Sequence, residues 1–190
     1  MENIKILDNL LSVKEISYIQ SNIDKLFRNN SFQYMPYTSD DSFVIKREDI
    51  YEAGQFVKTI VVNDQFTENY SDALLHSLSI IGNNFYNSTN IKLNHLYKLK
   101  VNIQLQQEKV TGYNSPHIDL PFFHKVLLYY IDDSDGDTYF FNKRPLGLQD
   151  CNFRVSPKAG RLVLFNGDIF HAGTHPMSSK HRRVINFCFS

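Results

Sequence analysis

From residue 96 onward the apolar residues alternate, and this change of period constrains the fold more than any other feature. Leu99, Val101, Ile103 and Leu105 interleave with Lys98, Lys100, Asn102, Gln104 and Gln106. That is the two-residue period of a strand with one apolar face. Further β-branched and aromatic runs follow at 124–131, 137–142, 152–156, 160–166 and 182–189. Turn signals separate them: Asp135-Gly136, Pro145 to Gly147, Pro157 to Gly160 and Asn166-Gly167. Many short strands at this spacing predict a sandwich or jelly roll.

The first half follows a different period. Ser12 and Glu15 form a capping box, and Leu11 can staple onto Ile16. Val13, Ile16, Ile19, Ile23 and Leu26 or Phe27 then recur at helical spacing, so a helix is expected over 12–28. Residues 56–62 are β-branched and read as a strand. Thr67 is the expected cap of a second helix carrying Tyr70, Leu74, Leu78, Ile81 and Phe85 on one face. The irregular segment 30–54, with Tyr34, Tyr37, Phe43 and Tyr51, is either a lid or a plain connection. The expected architecture is mostly β with supporting helices, because two helices ahead of a run of strands buttress one sheet. We expect a single domain over 1–190, with 1–95 as helical support and lid region and 96–190 as the core.

Composition narrows the function classes. Lys and Arg together number 20, as do Asp and Glu, so no net charge favours nucleic acid and no partner of that kind is expected. No apolar run approaches the roughly 20 residues of a membrane helix. The N-terminus lacks a basic segment followed by an apolar core, so no secretory signal is predicted. Cys151 and Cys188 are too few for a disulfide framework. Two reduced thiols in a cytoplasmic protein are the expectation. Oligomeric state is not readable from the sequence.

The chemistry lies in the last third. Pro116-His117-Ile118-Asp119 puts a histidine and an aspartate two apart, on one face of an extended segment. His171 follows in Phe170-His171-Ala172-Gly173, after the turn Asn166-Gly167-Asp168. Two imidazoles and one carboxylate form a facial ligand set for non-haem Fe(II) and leave the opposite face open. The absence of thiolate from this trio disfavours a structural zinc site. Against this stands the bland alternative of a surface histidine, a turn aspartate and a histidine at the core edge. A lone H-x-D is a weak signal. His124 begins the next strand and reads as a structural or supporting residue, since a fourth ligand would close the open face. His175 lies four after His171, but Gly173 and Pro176 oppose a helical metal pair. His76, His95 and His181 read as solvated or capped.

The terminal run splits by period two into Arg182, Val184, Asn186 and Cys188 on one face and Arg183, Ile185, Phe187 and Phe189 on the other. The second set is greasier and should pack on the helices. Arg182 is therefore the expected clamp for a dicarboxylate, with Asn186 beside it on the interior face. Arg183 is the runner-up, because a one-residue slip reverses the faces. Asn102, Gln104 and Asn114 are candidate pocket walls.

The segment from about Lys98 to Phe189 resembles the prolyl-4-hydroxylase-like branch of the 2-oxoglutarate/Fe(II)-dependent dioxygenases. The resemblance rests on Pro116 to Asp119, Leu128 to Thr138, Pro157 to Phe165, Phe170 to Gly173 and Arg182 to Phe189, in family order and over about half the chain. It implies a double-stranded β-helix core of the jelly-roll or cupin type. It implies His117, Asp119 and His171 as iron ligands, Arg182 at the distal carboxylate of 2-oxoglutarate, and Tyr130 and Thr138 near that co-substrate. It further implies use of O₂, with ascorbate as a possible reductant. 2-Oxoglutarate then becomes succinate and CO₂ while an unactivated C–H of a prolyl, peptide, amino-acid or small-molecule substrate is hydroxylated. Cys188 stands where relatives often carry an aromatic residue. Two other classes stay open: a jelly-roll binding module without turnover, and a cupin-type metal hydrolase or isomerase.

Overall fold

A computed structural model describes residues 4–29, 32–36, 53–110, 112–141 and 151–190. Most of the segment 30–54, left open as a lid or a plain connection, lies outside the described residues, as does the Pro145 to Gly147 turn signal. The elements are β1 (Ile4–Leu7), α1 (Val13–Asn29), β2 (Gln33–Met35), β3 (Gln55–Val62), β4 (Gln65–Phe66), α2 (Asp72–Thr89), β5 (Leu96–Leu105), β6 (Lys125–Tyr130), β7 (Thr138–Phe141), β8 (Phe153–Val155), β9 (Leu162–Asn166), β10 (Phe170–Gly173) and β11 (His181–Phe189). Among the described residues no helix is long and apolar enough to cross a membrane.

The larger sheet runs β1-β9-β6-β11-β5-β3-β2, with β4 on β3, and every pairing is antiparallel. A smaller sheet runs β10-β7-β8. Together they make the double-stranded β-helix that the family resemblance implied, in line with the jelly roll that the strand pattern allowed. Period two assigns the side chains to two cores. Leu127 and Tyr129 of β6, Leu162 and Leu164 of β9, and Ile185, Phe187 and Phe189 of β11 pack with Ile19 and Ile23 of α1 and Ile81 and Phe85 of α2. The intervening residues Val126, Leu128, Tyr130, Val163, Phe165, Val184 and Cys188 meet Phe140 and Val155 of the smaller sheet. Each large apolar side chain so buried contributes on the order of 2 kcal/mol. The Pro157–Gly160 turn that feeds β9 needs its glycine, which has φ 80°.

Several expectations are corrected locally. The capping box forms: the Ser12 backbone N–H donates to Glu15 Oε2 at 2.7 Å, and Glu15 N–H donates to Ser12 Oγ at 3.3 Å. Val13, however, is 79% exposed, because it lies to one side of the stripe Ile19, Ile23 and Leu26. Phe27 is also exposed, and Leu26 takes the core position. Thr67 does not cap α2. Its hydroxyl donates to Thr59 O at 2.9 Å and pairs with Tyr70 Oη at 2.8 Å, tying the loop to β3. Ser71 is the cap, and its Oγ accepts from Leu74 N–H. Tyr70 therefore precedes the helix. Leu105 is exposed at the end of β5, and the polar face of that strand is not solvated: Lys100 and Gln104 are buried.

Candidate metal centre

His117 lies outside the named strands but bridges to β10. Its N–H donates to His171 O, and His171 N–H donates back to His117 O, each at 3.0 Å. Residues exchanging both bonds stand side by side on one face. Their imidazoles are 4.7 Å apart between centroids. Phe165 packs edge-on against the His171 ring at 4.9 Å. Asp119 completes a buried group in which one ligand atom from each of His117, Asp119 and His171 lies within 4.8 Å of the others. His117 and Asp119, two apart in the chain, thus meet the remote His171.

Local hydrogen bonds aim these groups. Nδ1 of His117 lies 3.1 Å from Ser115 O, and Nδ1 of His171 lies 3.2 Å from Ile169 O. A carbonyl oxygen only accepts, so each Nδ1 carries the proton and, in the neutral ring, Nε2 presents a lone pair. Burial first, and the neighbouring His171 second, push the His117 pKa down to about 3, which keeps that ring neutral at ordinary pH. Asp119 Oδ1 accepts from Lys100 Nζ at 3.3 Å and from Asn186 Nδ2 at 3.0 Å. Burial alone would raise the Asp119 pKa, but Lys100 and the facing His171 outweigh it and hold the carboxyl well below its ordinary value. Its Oδ2 is buried, has no hydrogen bond among the described residues and lies 3.4 Å from His171 Nε2. A carboxylate oxygen and an imidazole lone pair this close, out of water, call for a cation or proton between them.

A narrow cleft leads from this group to Arg182. Lys100, Asn102, Gln104, Thr138, Gly173 and Asn186 are among its walls, with His117 and His171 at one end and Arg182 at the other. The guanidinium is buried and donates from Nε to Gly136 O at 2.8 Å, from one terminal nitrogen to Gln104 Oε1 at 2.8 Å, and from the other to Thr138 Oγ1 at 2.6 Å. It lies 5.7 Å over the Tyr130 ring, whose hydroxyl pairs with Thr138 at 2.6 Å. Among the described residues no carboxylate comes within ion-pair distance of Arg182. Burial accordingly lowers its pKa.

Arg183 is not brought to the cleft. Period two turns it outward, where Asp132 accepts from it at 2.6 and 2.9 Å and Asp24 of α1 adds a third bond. Its pairing with two acids explains why it needs no ligand. Asn102 and Gln104 line the cleft as expected, whereas Asn114 is buried in the loop before His117, its N–H donating to Gly173 O. Sequence reasoning missed Lys100 and Gln55 as cleft residues. Lys100 was signalled only by sharing a strand face with Asn102 and Gln104. A larger hollow between α2 and the main sheet is lined mostly by apolar residues, among them Val61, Leu78, Leu93 and Phe187, with no His, Cys, Asp or Glu among the described residues that line it.

No protein-family model matches the sequence, and no curated protein is significantly similar to it. Solved structures do match the fold. An oxidoreductase of the 2OG-Fe(II) oxygenase family from Burkholderia pseudomallei superposes with TM-score 0.68 at 13% identity, covering 100% of this chain and 85% of that one. A prolyl hydroxylase from Trichoplax adhaerens, solved with a hypoxia-inducible-factor peptide fragment, gives 0.64 at 15% identity over 98% of this chain and 83% of that one. A non-haem α-ketoglutarate-dependent epimerase from nogalamycin biosynthesis gives 0.63 at 15% identity over 99% and 77%. The chain therefore has the fold of the 2-oxoglutarate/Fe(II) oxygenases.

Proposed function

We propose that this chain is a 2-oxoglutarate- and Fe(II)-dependent dioxygenase that hydroxylates a peptide, amino-acid or small-molecule substrate. The observation that carries the reading is the buried approach of Asp119 Oδ2 to His171 Nε2 beside His117, with an arginine clamp in the same cleft that has no carboxylate partner among the described residues. Two nitrogens and one oxygen suit Fe(II), and the donor set fits. His117, Asp119 and His171 would hold the ion. When bound, iron with O₂ supplies the oxidising chemistry that turns 2-oxoglutarate into succinate and CO₂.

The chain's own residues do the rest. Lys100 and Asn186 occupy Asp119 Oδ1 and leave Oδ2 for the metal. Ser115 O and Ile169 O fix both imidazoles with Nε2 inward. Arg182 supplies a buried positive charge whose missing counter-ion is a carboxylate, and Gln104, Thr138 and Gly136 hold its fork in place. Tyr130 backs the guanidinium and fixes Thr138. A dicarboxylate chelating at the histidine end and pairing with Arg182 would span the cleft.

The test is succinate formation from 2-oxoglutarate with Fe(II), O₂ and ascorbate, followed by mass spectrometry of candidate peptides and amino acids. Metal-dependent succinate and a substrate gaining one oxygen atom are expected. Absence of succinate with every divalent metal, while ligand still binds, would favour the binding module. Hydrolysis or isomerisation without 2-oxoglutarate would favour the cupin-type enzyme.

A further inference from the structure

Asp119 belongs to a second cluster. One ligand atom from each of Asp119, His124 and Cys188 lies within 4.8 Å of the others, and all three residues are buried. His124 ends the loop before β6, and Cys188 follows Asn186 by two on the interior face of β11. His124 Nδ1 lies 2.8 Å from Phe122 O. This repeats the arrangement at His117 and His171, where the carbonyl two residues back fixes the ring. Nδ1 is again the donor, so Nε2 of the neutral ring carries the lone pair.

Among the described residues that Nε2 has no hydrogen-bond partner, on a residue only 1% exposed. Among the described residues Asp119 Oδ2 likewise has no hydrogen bond, although it faces His171 Nε2 at 3.4 Å. A buried acceptor left without a donor is costly, and the orphan on His124, which the neighbouring set does not use, points to a ligand. The ring is also held tightly: a Cβ at Gly167 would fall 2.1 Å from His124 Cε1, so only glycine permits this packing.

We propose that Asp119, His124 and Cys188 form a second divalent-cation site, suited to a thiophilic ion of the zinc class. Nitrogen, carboxylate oxygen and thiolate sulfur are the zinc donor types, and the thiol distinguishes this cluster from the all-nitrogen-and-oxygen set beside it. On binding, the S–H bond of Cys188 breaks, its proton leaves to solvent and a metal–sulfur bond forms. Both sites draw on the one Asp119 carboxylate, so an ion in one opposes an ion in the other. The proposal is independent of what the His117 and His171 pair binds.

Cobalt(II) titration of metal-stripped protein tests it, since thiolate ligation gives cobalt a near-ultraviolet charge-transfer band. The band is expected in the His117→Ala variant, where the neighbouring set no longer competes for Asp119, and should bleach when zinc is added. Cys151→Ser should keep it. Cys188→Ser, or Cys188→Ala if the serine variant fails to fold, should abolish it, and His124→Ala should raise the cobalt requirement about tenfold. Absence of the band from both the native protein and His117→Ala overturns the proposal, as does a band that survives loss of Cys188. None of these readouts uses 2-oxoglutarate turnover.

Discussion

His117 and His171 exchange both of their main-chain hydrogen bonds, at 3.0 Å in each direction, although neither sits inside a long strand pair. The backbone, and not the imidazoles, therefore sets their spacing. Either side chain can be cut back without opening the bridge.

His171→Ala should accordingly leave the fold intact and abolish Fe(II)-dependent succinate release. Circular dichroism with a turnover assay checks this. Native-level turnover in a folded variant would remove His171 from the metal set.

The two adjacent arginines should separate cleanly. Arg182→Ala should raise the KM for 2-oxoglutarate at least tenfold, since one partner of a buried charge pair is lost, an effect worth roughly 3–5 kcal/mol at most. Arg183→Ala should leave that KM in place and instead lower Tm by roughly 6–12 °C, as Asp132 and Asp24 lose their partner at a cost on the order of 3 kcal/mol. The reverse pattern would mean that β11 is one residue out of register.

Lys100→Met should loosen Asp119, whose Oδ1 would keep only Asn186. A second-sphere loss of this kind weakens metal binding about 10- to 100-fold. Measuring the apparent Fe(II) requirement decides it, and an unchanged value would reduce Lys100 to a bystander.

Acid should destabilise the metal-free protein. The His117 pKa is depressed to about 3 from an ordinary 6.5, so the unfolded chain binds the extra proton between those values. Stability is then complete above pH 6.5 and declines as pH falls towards 3. Between pH 6.5 and 5 the loss from this residue should approach about 2 kcal/mol. Urea denaturation at the two pH values, native against His117→Gln, measures it. Equal slopes would show that His117 is not buried as a neutral ring.

The strand pattern and the interior face of β11 were legible because period two is a strong local signal, and the sheet obeys it residue by residue from Arg182 to Phe189. The meeting of His117, Asp119 and His171 was legible from the order of the motifs around them, since H-x-D alone is a weak signal. Thr67 misled because Ser71, four residues on and followed by Asp72, offers the better cap, and only packing of Tyr70 on β3 decides between them. Lys100 and His124 were not legible in their present roles. A lysine alternating with apolar residues looks solvated until the second sheet covers it, and the partners of His124 come from β11 and from the metal loop.

β11 is a party wall. Its odd-numbered side chains from Ile185 to Phe189 belong to the helix-backed core, while Arg182, Val184 and Asn186 line the cleft and Cys188 joins the second apolar cluster. Inserting one amino acid between Arg182 and Phe189 would flip one part of the strand, sending either phenylalanines into the chamber or a guanidinium into the grease. Length variation among descendants of this chain should therefore collect in the connecting loops, while the last nine positions before Ser190 keep their count.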